Sequence, residues 1–215
     1  YANAHGMQAA VHTIGDACLD RVLSAYEKAL AENPREDHRH GIVHCQITRA
    51  DQLEKIAKMH LHVYAQSIFL DYDNHIVEER VGKELASTSY SWKTLMNNGV
   101  SVSNGTDCPV ELPDVMKGIQ CAVTRTTVKD HVGPYLPEQA LDIKQALDSF
   151  TAEGAYASFE ENVKGRIAPG MLADFVILGA NPFETSPEEL ARIPVEATYV
   201  DGVCRYSIET EGKQK

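Results

Sequence analysis

Apolar residues fall into short runs and helical stripes that alternate along most of the chain. Gly6-Met7-Gln8-Ala9-Ala10-Val11-His12 is an apolar run without clean alternation, the texture of a parallel strand buried on both faces. It ends in a histidine. Leu19, Val22, Leu23, Tyr26 and Leu30 then recur at helical spacing, predicting an amphipathic helix from Asp16 to Asn33 with Asp16 as its N-cap. Asn33-Pro34 stops it. After a charged link at 35–39, His40-Gly41-Ile42-Val43-His44 is a second apolar run ending in histidine. Thr48-Arg49-Ala50-Asp51 resembles a capping box with Asp in place of Glu, and Leu53, Ile56 and Ala57 form the inner face of the helix behind it. Leu61-His62-Val63-Tyr64-Ala65-Gln66 reads as a third strand and 100–103 as a fourth.

Four strands beginning near Met7, Gly41, Leu61 and Val100, with helices between them, imply a parallel sheet. The stretch 69–85 has no period and reads as a long loop with a helical turn, the kind that shapes a pocket. Ser91 to Asn98 reads as a short helix closed by Gly99. Pro113-Asp114 opens a helix through Val123, Asp142 opens another, and Thr151 can cap a third that runs to Phe159. From Gly165 the texture changes. A strand at 173–178 and a hairpin, 197–200 with 203–206 across Asp201-Gly202, predict a small β element.

The chain of 215 residues is 43% hydrophobic, enough for a sizeable core. A net charge of −11 argues against nucleic acid or anionic membranes as partners. No apolar run approaches a membrane span. Five scattered cysteines, none in a C-x-x-C pair, suit a reduced cytoplasmic protein. The first residue is Tyr1 and not methionine, which suggests a fragment or a processed product.

Functional groups of parallel α/β folds gather at the carboxyl ends of strands. His12, His44 and Asp107 fall at such ends on three separate strands, and Asp107 sits in the glycine turn Asn104-Gly105-Thr106-Asp107. Two imidazoles and a carboxylate are suitable ligands for zinc and similar divalent ions. Asp107 is also placed to carry a proton. Each group has a plainer reading: a strand-end histidine is more often packed than ligating, and Gly-x-Asp is common turn chemistry. Both readings stay open. His40, His60 and His62 read as structural or exposed, and His75 and His131 as loop histidines within reach of a substrate. Cys45 and Cys108 adjoin the candidate ligands but should point to opposite faces, so neither is taken as a nucleophile.

Three segments occur in a telling order: His12-Thr13-Ile14-Gly15-Asp16, then Arg39-His40-Gly41-Ile42-Val43-His44-Cys45-Gln46, then Asn104-Gly105-Thr106-Asp107-Cys108-Pro109-Val110-Glu111. With Tyr90-Ser91-Trp92-Lys93 and the tail Gly165-Arg166-Ile167-Ala168-Pro169-Gly170, they resemble the metal-dependent amidohydrolase superfamily. The likeness is to its family 3 branch, which includes N-substituted formamide deformylases. That resemblance implies an α/β fold in which residues 1–164 form the C-terminal half of a (β/α)8 TIM-type barrel. Residues 165–215 would be a portion of a β-sandwich. It implies a hydrolase of carbon–nitrogen bonds in small non-peptide amides or formamides. One or two divalent metal ions, zinc foremost, would be held by His12, His44 and Asp107. Asp107 would double as the general acid/base, Gln66 would line the pocket, and Arg125 would meet an acidic substrate group or, more simply, form a salt bridge.

The sequence departs from that pattern. The H-x-H motif of the first strand and the lysine before the fifth are not in this chain, so it alone is expected to hold an incomplete site. Val43 stands where the family usually has glutamate. Half a barrel would leave open strand edges, which suggests a homo-oligomer. The alternative reading is a non-catalytic, self-associating domain derived from such an enzyme.

Overall fold

A computed structural model describes residues 1–211 of the chain, which form an α/β fold with two sheets. The first sheet is parallel, in the order β1 (Ala10–Thr13), β2 (Gly41–His44), β3 (His62–Ala65) and β4 (Val102–Asn104). The crossovers carry α1 (Asp16–Glu32) and α2 (Ala50–Lys58). Between β3 and β4 run three helical turns, α3 (Leu70–Asp73), α4 (Val77–Val81) and α5 (Lys83–Ala86), and then α6 (Trp92–Asn97). The stretch expected to be a loop with one helical turn is therefore mostly helical. Its pieces are too short to show a period. Beyond β4 come α7 (Val115–Thr124), α8 (Ile143–Phe150) and α9 (Ala152–Ala157). The second sheet is antiparallel, β5 (Phe175–Leu178), β6 (Val195–Val200) and β7 (Val203–Ser207), followed by the turn α10 (Ile208–Glu211). The β6–β7 hairpin crosses Asp201-Gly202 as expected. Both residues are left-handed, at φ 52° and 72°, matching the twist of the flanking strands. No closed barrel is present among the described residues.

Helical spacing chose most of the inner residues, with Val22, Leu30 and Ala57 only half-buried. Leu19, Leu23 and Tyr26 of α1 and Leu53 and Ile56 of α2 are buried against Ile42, Val63 and Val102 of the sheet. A second core joins Met116, Ile119 and Ala122 of α7 to Ala146, Leu190 and Ile193. Gly118 lets α7 and α8 approach closely: a Cβ there would lie 2.8 Å from Cζ of Phe150.

Three expectations need correcting. β1 is not buried on both faces: Ala10, Val11 and His12 are exposed, because only β2 pairs with it among the described residues. Asp16 is not the N-cap of α1. Gly15 holds that place, and Asp16, the first helical residue, accepts from Arg49 at 3.0 Å. Asp51 does not close a capping box on α2. Gln52 does so, its Oε1 accepting the Arg49 N–H at 2.9 Å, which frees the Asp51 carboxylate for the Arg49 guanidinium. By contrast, Asp114 and Asp142 cap α7 and α8 as expected, accepting from the backbone N–H groups of Lys117 and Gln145.

The amino end of the parallel sheet is held by polar contacts. Arg39 is 8% exposed, with its guanidinium stacked 3.8 Å from the Tyr156 ring centre and 4.1 Å from that of Phe159. It donates to Asp37 at 2.7 Å, to Glu161 at 2.7 and 2.9 Å, and to the Tyr156 carbonyl. The segment read as a charged link thus contains the clamp that fastens residues 156–161 to the sheet. Nearby, His38 and His40 are both buried, and each uses Nδ1 as an acceptor, His38 from the His40 N–H at 2.9 Å and His40 from the Ala9 N–H at 3.0 Å. Burial holds His40 down to about 4 and does the same for His62.

Two outcomes follow from this end of the sheet. Arg39→Ala should lower stability by roughly 3 kcal/mol, since it leaves the partly buried Glu161 unpaired. Urea unfolding should show this as a lower midpoint at unchanged slope. His40 and His62 are neutral when folded and take up a proton near pH 6.5 when unfolded. Unfolded chains therefore bind more protons between about pH 6.5 and 4. Stability should be flat above neutrality and fall through that window as pH drops. His40→Gln should remove up to ~1.4 kcal/mol per pH unit from the slope.

Candidate active site

In the parallel register Thr13 pairs with His44, Val43 with Tyr64 and Ala65 with Asn104, so the carboxyl ends of the four strands lie side by side. His12, His44, Gln66 and Asp107 emerge from this one rim. Strict alternation would turn His44 to the side of Ile42, which is fully buried under the helices. Instead the backbone enters the left-handed region at His44 (φ 77°) and stays there at Cys45 (φ 50°). Such a conformation is strained for residues with a Cβ and tends to occur at functional sites. The His44 ring comes to rest edge-on to that of His12, with centroids 4.5 Å apart. Its Nε2 lies 4.0 Å from Oδ2 of Asp107. Asp107 is itself left-handed, at φ 57°, in the turn after β4.

The three residues differ in environment. His44 is 3% exposed, and burial, followed by the neighbouring His12, pulls its pKa down, which favours the neutral ring a metal needs. His12 and Asp107 are exposed. The His44 backbone is held by Trp92, whose indole N–H donates to the His44 carbonyl at 3.2 Å. Phe69 stacks on the imidazole, centroid to centroid 5.7 Å. Two imidazoles and a carboxylate converging on one rim are a donor set whose chemistry fits zinc or a similar divalent ion. No group of three such side chains stands at ligating geometry among the described residues, so what is shown is a convergent set and not a closed cage.

Gln66 and Arg125, the residues expected to touch substrate, are both buried and engaged within the chain. Gln66 faces His44 Nδ1 at 2.8 Å. Arg125 is 1% exposed and left-handed at φ 59°, and its Nε donates to the Tyr135 carbonyl at 2.9 Å. It lies 5.9 Å from the Trp92 ring centre and 5.6 Å from that of Tyr135. No carboxylate pairs with it among the described residues, contrary to the expected salt bridge, and burial draws its pKa down to about 10. Among the loop histidines, His75 meets Asp130 at 3.4 Å. It lines a 330 Å³ cavity with Asp71, Tyr72 and Glu111, the last only four residues beyond Asp107.

Sequence reasoning missed the polar network behind the rim. Gln46 donates to Asp73 at 3.0 Å, and Tyr90 donates to the same carboxylate oxygen at 2.8 Å. Burial holds the Asp73 carboxyl above its usual range. Asn104, the last residue of β4, accepts from the Ser67 N–H at 2.8 Å and so ties the β3 exit to β4. The signal for Gln46 was its place two residues after His44. Nothing in the aperiodic stretch around Asp73 marked its partner.

A parallel α/β sheet with two histidines and an aspartate at its strand ends is an arrangement that suits metal-assisted hydrolysis, and comparison with known proteins shows the family. The chain belongs to the amidohydrolase family, whose model matches residues 1–206. It is 34% identical over 206 residues to the Bacillus subtilis protein YtcJ, named as an amidohydrolase, covering 95% of this chain and 38% of that one. It is 27% identical over 206 residues to N-substituted formamide deformylase of Arthrobacter pascens, with the same coverage of 95% and 38%. The structure of an uncharacterized metal-dependent hydrolase from Pyrococcus horikoshii superposes with a TM-score of 0.74 at 31% identity, over 86% of this chain and 36% of that one. The chain thus spans well under half the length of these relatives. No described helix is long and apolar enough to cross a membrane.

The thiols report on this geometry. Cys45 and Cys121 are buried, and burial raises both, Cys45 to about 12, whereas Cys18, Cys108 and Cys204 are exposed. Ellman's reagent at pH 8 should therefore titrate three thiols in the native chain and all five after denaturation.

Proposed function

We propose that this chain carries part of the metal centre of a hydrolase that cleaves carbon–nitrogen bonds in small non-peptide amides, N-substituted formamides foremost. The observation that carries the reading is the meeting of His12, His44 and Asp107 on one rim, with rings 4.5 Å apart and His44 Nε2 4.0 Å from the carboxylate. The names of the Bacillus and Arthrobacter relatives support the bond type, and that of the Pyrococcus hydrolase supports the metal. In this proposal β1 to β4 are four consecutive strands of a (β/α)8 barrel and 165–215 is part of a β-sandwich, of which 212–215 lie outside the described residues. The open edges of β1 and β4 are where a second copy would pair. Five free cysteines suit a cytoplasmic setting.

His12 and His44 would hold one divalent ion, zinc foremost, with Asp107 completing this chain's share of the donors. When bound, such an ion polarises the substrate carbonyl and makes water acidic enough to attack it at neutral pH. Asp107, exposed at the rim, takes the proton from the attacking water and returns it to the departing nitrogen. An amide and a water thus become a carboxylic acid and an amine; a formamide gives formate. For Arg125 to meet an acidic substrate group, its buried Nη2, which has no hydrogen-bond partner among the described residues, would first have to be uncovered.

Metal analysis of the purified chain after dialysis against trace Zn²⁺ tests the reading directly. Near-stoichiometric zinc is expected, falling at least tenfold in His12→Ala and in His44→Ala. In a protein that also supplies the H-x-H donors absent from this chain, Asp107→Asn should lower formate release from an N-substituted formamide by roughly 10²-fold or more. A wild-type chain that holds no zinc, or a His44→Ala chain that holds as much, overturns the proposal.

A further inference from the structure

We infer that Gln66 is a positioning residue: its side-chain carbonyl holds the His44 imidazole in the Nδ1–H tautomer and leaves the Nε2 lone pair facing Asp107. The purpose of this arrangement rests on the metal-centre reading above; the arrangement itself does not.

The geometry fixes which atom is which. Gln66 Nε2 lies 3.0 Å from the Tyr64 carbonyl oxygen, which can only accept, so the NH₂ end of the amide belongs there. The other end, Oε1, is then the atom 2.8 Å from His44 Nδ1. An amide oxygen only accepts as well, so Nδ1 must carry the proton. In a neutral ring Nε2 is then bare, and Nε2 is the atom that faces Asp107 at 4.0 Å. A metal ligand's second nitrogen is ordinarily oriented by such a bond, which sets both tautomer and ring plane.

The surroundings make the hold rigid. His44 and Gln66 are 3% and 5% exposed, so water competes poorly for either. Gln66 leaves β3 into the turn Ser67–Phe69, where Ser67 is pinned twice: its N–H donates to Asn104 at 2.8 Å and its hydroxyl to the Gly118 carbonyl at 2.7 Å. From that turn Phe69 stacks on the His44 ring at an interplanar angle of 23°. One short segment therefore sets both the ring plane and the proton of a residue on the neighbouring strand. Val43, one place before His44, has no polar group to do this.

Two-bond ¹H–¹⁵N correlation spectra of the labelled, metal-free chain at pH 8 test this without any bound ion. The expected result is a protonated Nδ1 and an unprotonated Nε2 for His44. Gln66→Leu, which cannot accept, should populate the Nε2–H tautomer, and Gln66→Glu, which can, should keep Nδ1–H, with far-UV circular dichroism unchanged in both. Zinc affinity, measured by competition with a chromophoric chelator, should fall 10–100-fold in Gln66→Leu and recover in Gln66→Glu. An Nε2–H tautomer in the wild type or in Gln66→Glu, or an unaltered Nδ1–H tautomer in folded Gln66→Leu, overturns the inference. A wild-type chain with the expected tautomer but no zinc affinity leaves the role of Gln66 standing and removes the metal-centre reading instead.

Discussion

Everything at the candidate site depends on one register. Because β1, β2, β3 and β4 run parallel, with Thr13 opposite His44 and Ala65 opposite Asn104, their carboxyl ends finish together. A shift by one residue would turn each side chain to the other face and separate the ligands. The register is secured away from the rim. Tyr26 of α1 places its hydroxyl 2.8 Å from the Gly41 carbonyl and 3.0 Å from that of Ala9, touching β2 and the approach to β1 at once. Gly41 has no side chain because Tyr64 lies over it: a Cβ there would come within 2.3 Å of the Tyr64 ring.

The two ends of the sheet divide the work. At the amino end, most buried polar groups are paired: Arg39 with Asp37 and Glu161, His38 with the Met59 carbonyl, His40 with Asn3, while His62 Nδ1 has no partner among the described residues. These contacts stabilise the fold and position nothing reactive. At the carboxyl end the backbone itself is strained, at His44, Cys45 and Asp107, and two of the three candidate ligands are exposed. Strain and exposure cost stability and are tolerated where a surrounding scaffold is well determined.

Behind the rim a second layer supports His44 from three sides. Trp92 holds its carbonyl, Phe69 its ring face and Gln66 its Nδ1, and Arg125 lies against Trp92. Gln46, Asp73 and Tyr90 form the adjoining network. This layer draws residues from segments far apart in the chain, and each contributes an apolar face or a single hydrogen bond. Its members carry no signature of their own.

Local sequence determined the elements and the candidate ligands. Helical spacing named Leu19, Leu23 and Tyr26, Asp-Gly named the hairpin, and histidines or aspartate at strand ends named His12, His44 and Asp107. Those signals are short-range, since periodicity, capping and turn chemistry are properties of a few consecutive residues. The motifs also placed the chain in the amidohydrolase family, which the match over residues 1–206 shows. What only the tertiary structure decided is everything that depends on partners distant in sequence. Gln66, expected to line the pocket, is bonded to His44, 22 residues away. Arg125 was buried near aromatic rings, and no carboxylate among the described residues forms the salt bridge that was one of its two expected roles. The exposure of β1 followed from which strands pair with it, and the helical character of 70–86 from packing that short segments cannot encode alone. A residue's chemistry is written in its side chain, but the atom it meets is set by the fold.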